Sequence, residues 1–470
     1  MRCPLLALCF VISPLICQAD DSGLLVSSLP HESSLWAPAQ NTENAVPCDQ
    51  SVCDLWSYPT PQLRDLVDED SWLQPGGSYR IRFHNENNMR RAGLTGLDDN
   101  FTLHQTRLWI DAELDEKLHI HAGYIDAASF GETYRPRNAE VNRSDLYQLY
   151  ADALLLDSNG TLTARLGRQE MRYGSARLIM APIWANRRRT HDGVRMIWNS
   201  ADWDVDAFWV HPAYRDAAHF TAFDDSNEYQ QLYGVFSTYK NLQDAKLDLY
   251  WLAFDIESST GTTSAALYDT IGSRYYGGTD DCLFEFEGGY QFGQNPDNTT
   301  HSAGFFTGGM GKSFTDVRWD PELWLFYDWA SGSSTTGNGF HTYVQRAHYY
   351  LGTMDLYGRR NLQDINIRLT TKPIENVTFV VWYHYFMLAT GRDVPYNLNM
   401  QPFAGLTAGS AGSKHLGQEL DLTITWRPNE KTQVRIGYNY FWAGRFYDTT
   451  PGVPSNANAS FLYSHIQYDF

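Results

Sequence analysis

The sequence predicts an all-β fold: a transmembrane antiparallel β-barrel of about 18 strands, with short periplasmic turns and long extracellular loops. Three observations carry the prediction. Apolar and polar residues alternate with period 2 from about Tyr79 to the end of the chain. Aromatic residues make up 14% of the 470, yet the mean hydropathy is only −0.43. That combination is expected when every second strand residue faces lipid and its neighbours face water. The connections between strands alternate short and long.

The N-terminus reads MRCPLLALCFVISPLICQADD. Arg2 is a charged start, Leu5 to Ile16 an apolar run, and Cys17-Gln18-Ala19 a small-x-small cleavage site, so residues 1–19 read as a signal peptide. The run is shorter than the ~20 residues of a spanning helix, which disfavours an anchor. Attachment of lipid at Cys17 is disfavoured by Ile16, where a small residue belongs. Residues 20–77 are rich in Ser, Pro and acids and poor in strand pattern. They read as a periplasmic extension that ends near Pro75-Gly76-Gly77. Within it, VPCDQSVCDLW holds Cys48 and Cys53, which read as a small disulfide loop in an oxidising compartment. A zinc pair is the alternative, but no second pair at ligand spacing follows; no metal or other cofactor is expected. Cys282 has no evident mate.

The barrel domain is expected over 78–470. It opens with SYRIRF, where Tyr79, Ile81 and Phe83 point out and Arg80 and Arg82 point in. RLWIDAEL sets Leu108, Ile110, Ala112 and Leu114 against Arg107, Asp111 and Glu113. In DINIRLT, Ile365, Ile367 and Leu369 oppose Asp364, Asn366 and Arg368. ELDLTITW and QVRIGYNYF repeat the pattern, with Glu419, Asp421 and Arg435 on the inward side. Short polar turns fall at 115–117, 157–160, 199–202, 241–244, 277–281, 373–376 and 428–431. Long irregular stretches fall at 86–100, 127–143, 169–190, 212–229, 256–268, 331–360, 389–414 and 443–459. An even strand count puts both ends on the short-turn side. No later apolar run is long enough to span as a helix; FVVWYHYFML (Phe379 to Leu388) comes nearest.

Other all-β plans fit less well. A propeller needs a blade repeat of fixed period, and none is present. Tandem sandwiches need linkers, and the only composition break is the one near Pro75. The formal charge of −19 argues against nucleic acid as a partner. The chain ends in FLYSHIQYDF, which places Leu462, Ser464, Ile466, Tyr468 and Phe470 on one face.

Several segments go beyond a generic barrel: RLGRQEMRYGSARL, RRRTHDGVRMIW, YDWASG, MDLYGRRNLQD, DDNFTLHQTRLWID and GQELDLTITWRPNEKTQVRIGYNYFWAG. Their ordered set resembles the alginate-export porin family of Gram-negative outer membranes, over about residues 75–470. The resemblance implies a monomeric porin in the bacterial outer membrane that passes an anionic polysaccharide through an arginine-rich pore. It also implies contact with outer-membrane lipid and lipopolysaccharide. The C-terminal residues Ile466, Tyr468 and Phe470 would then be the signal read by the barrel-assembly machinery.

A polyuronate carries a carboxylate on every sugar, and fixed cations must replace the hydration it sheds in a constriction. Arginine suits this because it stays charged and meets a carboxylate bidentately. The candidate pore residues are Arg80, Arg82, Arg107, Arg165, Arg168, Arg195, Arg368 and Arg435. Arg435 matches an inward position of the family's penultimate strand, and Arg168 belongs to the G-R-Q motif. The bland alternative is that an inward Arg only pairs with an inward acid, because barrel lumens are polar. Glu170 follows G-R-Q where the alginate exporter commonly has Arg, and Asp111, Glu113, Glu419 and Asp421 offset the arginines. Arg187-Arg188-Arg189 belongs either to a loop folded into the pore or to a solvated loop. Passage of other small anionic solutes is the first alternative function.

An outer-membrane enzyme acting on carbohydrate or lipid is the alternative from another class. His119 and His121 share a face, but period 2 makes any H-x-H do so. His384 and His465 have acids available as partners. No G-x-S-x-G elbow is present, and no catalytic residue is assigned.

Overall fold

Strand-forming alternation with one lipid face leaves every backbone donor and acceptor needing a partner, and in a bilayer only a closed sheet supplies them all. The fold is seen in a computed structural model whose described residues are 72–90, 93–214, 223–258, 264–279, 282–343 and 347–470. The expected signal peptide and the Cys48–Cys53 loop lie outside them. Eighteen strands form the wall. They are β1 (Leu73–Asn87), β2 (Asp99–Asp115), β3 (Leu118–Phe130), β4 (Asn142–Asp157), β5 (Thr161–Gln169) and β6 (His191–Asn199). Then come β7 (Trp203–Tyr214), β8 (Gln230–Leu242), β9 (Ala245–Ile256), β10 (Ala266–Gly278), β11 (Leu283–Gln294) and β12 (Thr300–Ser313). The last six are β13 (Glu322–Ala330), β14 (Leu362–Ile374), β15 (Val377–Leu388), β16 (His415–Asn429), β17 (Thr432–Ala443) and β18 (Ala459–Asp469). Each pairs antiparallel with its sequence neighbours, and β18 closes on β1 with Ile81 opposite Ile466 and Arg82 opposite His465. A two-residue strand, Asp225–Ser226, only extends the outer end of β7.

The predicted faces hold. Ile110, Ile271, Ile367, Ile436 and Ile466 are exposed on the outside, where lipid would cover them, while Arg80, Asp364, Glu419 and Arg435 are buried on the inside. The short–long alternation has two exceptions. The outer connection at 295–299 is short, and the inner one at 314–321 is longer than its neighbours.

The first strand begins at Leu73, before the boundary expected at 78. Pro75-Gly76-Gly77 is part of it, because glycine serves here as space rather than as a break. A Cβ on Gly76 would lie 2.3 Å from the Trp109 ring, and one on Gly77 would lie 2.4 Å from the Phe470 ring. Gly77 and Phe470 exchange backbone hydrogen bonds of 2.9 Å in both directions, so the last residue completes the closing ladder.

The expectation of a polar interior is overturned on the outer half of β7–β13. Phe208, Val210, Leu232, Phe236, Leu252 and Phe254 all point inward. They do not meet water. Met171, Tyr173, Leu178 and Ile179, from the connection between β5 and β6, pack on them, and so does Phe340 from the connection between β13 and β14.

Candidate functional site

The site is the lumen and the two long loops that fold into it. Loop 170–190 leaves β5 and crosses to the far wall, where the fully buried Arg177 meets Glu285 and Glu287, the latter at 2.8 Å. Burial opposes the charge on Arg177, but these two carboxylates hold its guanidinium protonated, well above its ordinary value. The loop then returns to β1. There Arg80 donates to the carbonyl oxygens of Ile183 at 3.0 Å and Ala185 at 3.1 Å, and Arg82 donates to that of Trp184 at 2.8 Å. The Arg82 guanidinium lies 3.9 Å from the Trp184 ring centre. Asn186 staples the same stretch to β2 and β3, donating to the carbonyls of His104 at 2.9 Å and Ala128 at 3.2 Å.

Loop 331–361 meets it from the opposite side. His348 stacks on Trp184 at 4.1 Å, and the Tyr350 hydroxyl donates to the Ser175 carbonyl at 2.8 Å. The inward acids of β16 hold this loop by its backbone. Asp421 accepts from the Thr353 N–H at 3.0 Å, and Glu419 accepts from the Met354 N–H at 2.9 Å. Gly352 makes this approach possible: it has φ +85°, and a Cβ there would sit 2.5 Å from the Glu419 carboxylate. Together the loops brace the lumen from β11 to β1 and from β13 to β16.

The candidate arginines divide into three groups. Arg80, Arg82 and Arg435 stand on one patch of wall, with Arg82 and Arg435 both paired in register with His465 between them. Arg435 donates to the Thr425 hydroxyl at 3.0 Å. Arg107 is partly exposed and donates to the Ser78 hydroxyl at 3.0 Å; Arg368 lies beside the Trp382 and Phe326 rings. Arg165 and Arg195 instead meet acids: Arg165 binds Asp152 through two bonds of 2.6 and 2.7 Å, and Arg195 pairs with Asp206. Arg168 departs from the expectation. Its parity is that of the outward Leu166, and it pairs with Asp192 on the next strand through two bonds of 2.8 Å, so it does not line the lumen. Glu170 binds Arg188, which anchors the triple-arginine stretch as part of the inward loop.

Asp111 accepts from or shares protons with both His119 and His121, at 3.0 and 2.8 Å. His384 and Asp364 are 2.8 Å apart and both fully buried in the wall. Among the described residues no group of three metal-ligating side chains could hold an ion. Ile466 and Tyr468 face outward and Phe470 packs on Gly77.

Sequence reasoning missed Arg177, Arg274, Trp184 and the pair Glu285 and Glu287. The signal for the last pair was legible: LFEFEGG puts two acids on one face of a strand.

An even, closed, antiparallel sheet with an apolar outer face and inward loops is the architecture of an outer-membrane porin. The alginate export family model matches residues 71–461, most of the chain. The chain belongs to the alginate export family. No curated protein matches it. Among solved structures it is similar to OccAB2 of Acinetobacter baumannii, with a TM-score of 0.57 at 12% identity over 85% of this chain and 98% of that one. It is similar to the outer membrane protein OprD of Pseudomonas aeruginosa, with a TM-score of 0.52 at 10% identity over 88% and 97%. It is also similar to OpdK of Pseudomonas aeruginosa, solved with vanillate, with a TM-score of 0.54 at 10% identity over 84% and 98%. At such identities the likeness concerns the fold. This alginate export family member is an outer-membrane porin.

Proposed function

We propose that this porin passes carboxylate-bearing solutes by diffusion and without turnover, an anionic polysaccharide such as alginate or its oligomers first among them. The observation that carries the reading is the patch on β17, β18 and β1, where Arg435, Arg82 and Arg80 bring three guanidiniums to adjacent strands. Their bonds to Thr425, Trp184, Ile183 and Ala185 go to uncharged oxygens, which orient the guanidiniums on the wall. Arg107, which donates to Ser78, and Arg368, which lies beside the Trp382 ring, add two further guanidiniums. In a narrow pore such charges act through a lower effective dielectric than the acids of the turns, which salt screens over roughly 8–10 Å.

Passage of small anions is the second reading. It is favoured by the two loops that brace the lumen and by the likeness to OpdK, whose structure holds the carboxylate vanillate. A planar bilayer with a salt gradient tests both. The wild type should select anions, oligouronate should block its current, and Arg107→Glu and Arg435→Glu should each move the reversal potential towards cations. Anion selectivity without block by oligouronate would transfer the function to small anions. A cation-selective wild type would overturn both readings.

A further inference from the structure

At the short-turn end, β13 starts at Glu322, opposite Thr370, while β14 runs on to Ile374. The connection 314–321 fills the step between them. The Trp319 carbonyl accepts from the Lys372 N–H at 2.7 Å, the Phe314 N–H donates to the Pro321 carbonyl at 2.9 Å, and the Val317 N–H donates to that of Phe314 at 3.1 Å. Within this ordered turn Trp319 and Asp320 take φ of +77° and +44°, which residues with side chains rarely adopt. Such strain persists only where the surroundings hold it, and it gathers at functional segments. The turn leaves Val317 and Trp319 exposed at the rim, beside the exposed Ile374. They continue the lipid-facing wall. Met310, Leu323 and Leu325 are exposed on the outside of β12 and β13, and Lys312 follows Met310 on the same face, paired in register with Leu323. Lys312 therefore stands where the apolar belt ends.

The charges on this stretch are left apart. Lys312, Arg318 and Lys372 are exposed, as are Asp316 and Asp320, and among the described residues none of the five side chains enters a hydrogen bond or an ion pair. Arg318 has an acid two residues away on either side and pairs with neither. The cations lie beside rings instead: the Lys312 ammonium is 5.5 Å from the Phe314 ring centre, and the Arg318 guanidinium is 5.2 Å from that of Trp319. Separate cations and acids beside an interfacial indole suit a headgroup that carries one phosphate and one ammonium. We infer that connection 314–321, with Lys312 and Lys372, is a seat for a zwitterionic phospholipid of the phosphatidylethanolamine type on the short-turn side of the membrane. Lys312, Arg318 and Lys372 take the phosphate, Asp316 and Asp320 take the ammonium, and Trp319 and Val317 take the first methylenes of the acyl chains. Continuity of the patch with the lipid-facing wall selects a lipid over a soluble partner.

Native mass spectrometry of the full chain, released from detergent micelles that contain phosphatidylethanolamine or phosphatidylglycerol, tests the seat. The wild type should retain phosphatidylethanolamine, and phosphatidylglycerol, which has the phosphate without the ammonium, more weakly. Lys312→Ala with Arg318→Ala should lower the affinity for phosphatidylethanolamine about tenfold, the loss of one charge-assisted hydrogen bond. Asp316→Asn with Asp320→Asn should weaken retention of phosphatidylethanolamine and leave that of phosphatidylglycerol unchanged. No retained lipid, or retention that neither pair of substitutions weakens, overturns the seat and leaves the patch to a periplasmic protein. Equal retention of the two lipids by the wild type also overturns it, because the acids then take no part.

Discussion

Two stretches of the inner wall carry the same residue type in opposite company. On β17, β18 and β1, Arg435, Arg80 and Arg82 bond to a hydroxyl and to loop carbonyls. On β9, β10 and β11, Arg274 sits between Asp248 at 2.9 Å and Glu285 at 2.8 Å, and Arg177 reaches from the loop to Glu285 and Glu287. Both stretches are buried and both hold the same loop. The bonds just named go to uncharged oxygens in the first, and to carboxylates that cancel the charge in the second. An inward arginine is therefore not evidence of selectivity until its acceptor is known.

The largest effect should come from breaking the cancelled stretch. Glu285→Gln with Glu287→Gln leaves Arg177 and Arg274 buried with fewer carboxylates, and breaking a buried pair from one side costs about 3–5 kcal/mol. The far end of loop 170–190 should come free, single-channel conductance should rise, and the thermal midpoint in detergent should fall. An unchanged conductance would mean that the loop is held elsewhere. On the other stretch, Thr425→Val removes the hydroxyl that orients Arg435, and loss of one such bond costs about 1 kcal/mol. Selectivity should persist there while the midpoint barely moves. A loss as large as that of the double variant would make the two stretches alike.

Which residues face inward was legible before the fold was known. Period 2 placed Arg80, Arg82, Arg368 and Arg435 inward, because a strand has only two faces and one must suit lipid. It gave no sign of the company each would keep. Partners such as Ile183 and Trp184 lie on a loop about a hundred residues away, and no local pattern encodes where an irregular segment will fold. The same gap explains the inward aromatic residues of β7–β13. They read as strand without a wet face, because the loop that covers them stands in for the expected water. Arg168 failed for a different reason. Its motif suggested a pore role, while the outward Leu166 two residues before it and the inward Gln169 just after it show that parity had already turned it outward.

The smallest effect concerns the rim, where the first stretch acquires acids of its own. Above Arg82 on β1, Glu86 pairs with Arg137, and Arg137 also bonds Glu140 at 2.7 Å. Arg90 binds the same Glu140 through bonds of 2.7 and 3.1 Å and so ties loop 88–98 to loop 131–141. Burial pushes the Glu140 carboxyl up, but Arg137 and Arg90 outweigh it and hold the group below its ordinary value of 4.5. A depressed value in the folded state contributes stability above the unfolded pKa, and this is lost as pH falls through the folded one. At neutral pH the contact is therefore complete, and it should loosen only below about pH 4.5. Protection of the two loops against hydrogen exchange, relative to the intrinsic rate at each pH, should fall over that acid window and hardly change from pH 5 to 8. Glu140→Gln should show the lower protection already at neutral pH and lose most of the acid response. If that variant matches the wild type at pH 7, Glu86 and Asp99, the latter 2.9 Å from the Arg90 guanidinium, suffice to hold the arginines, and the rim belongs with the cancelled stretch rather than with the one bonded to uncharged oxygens.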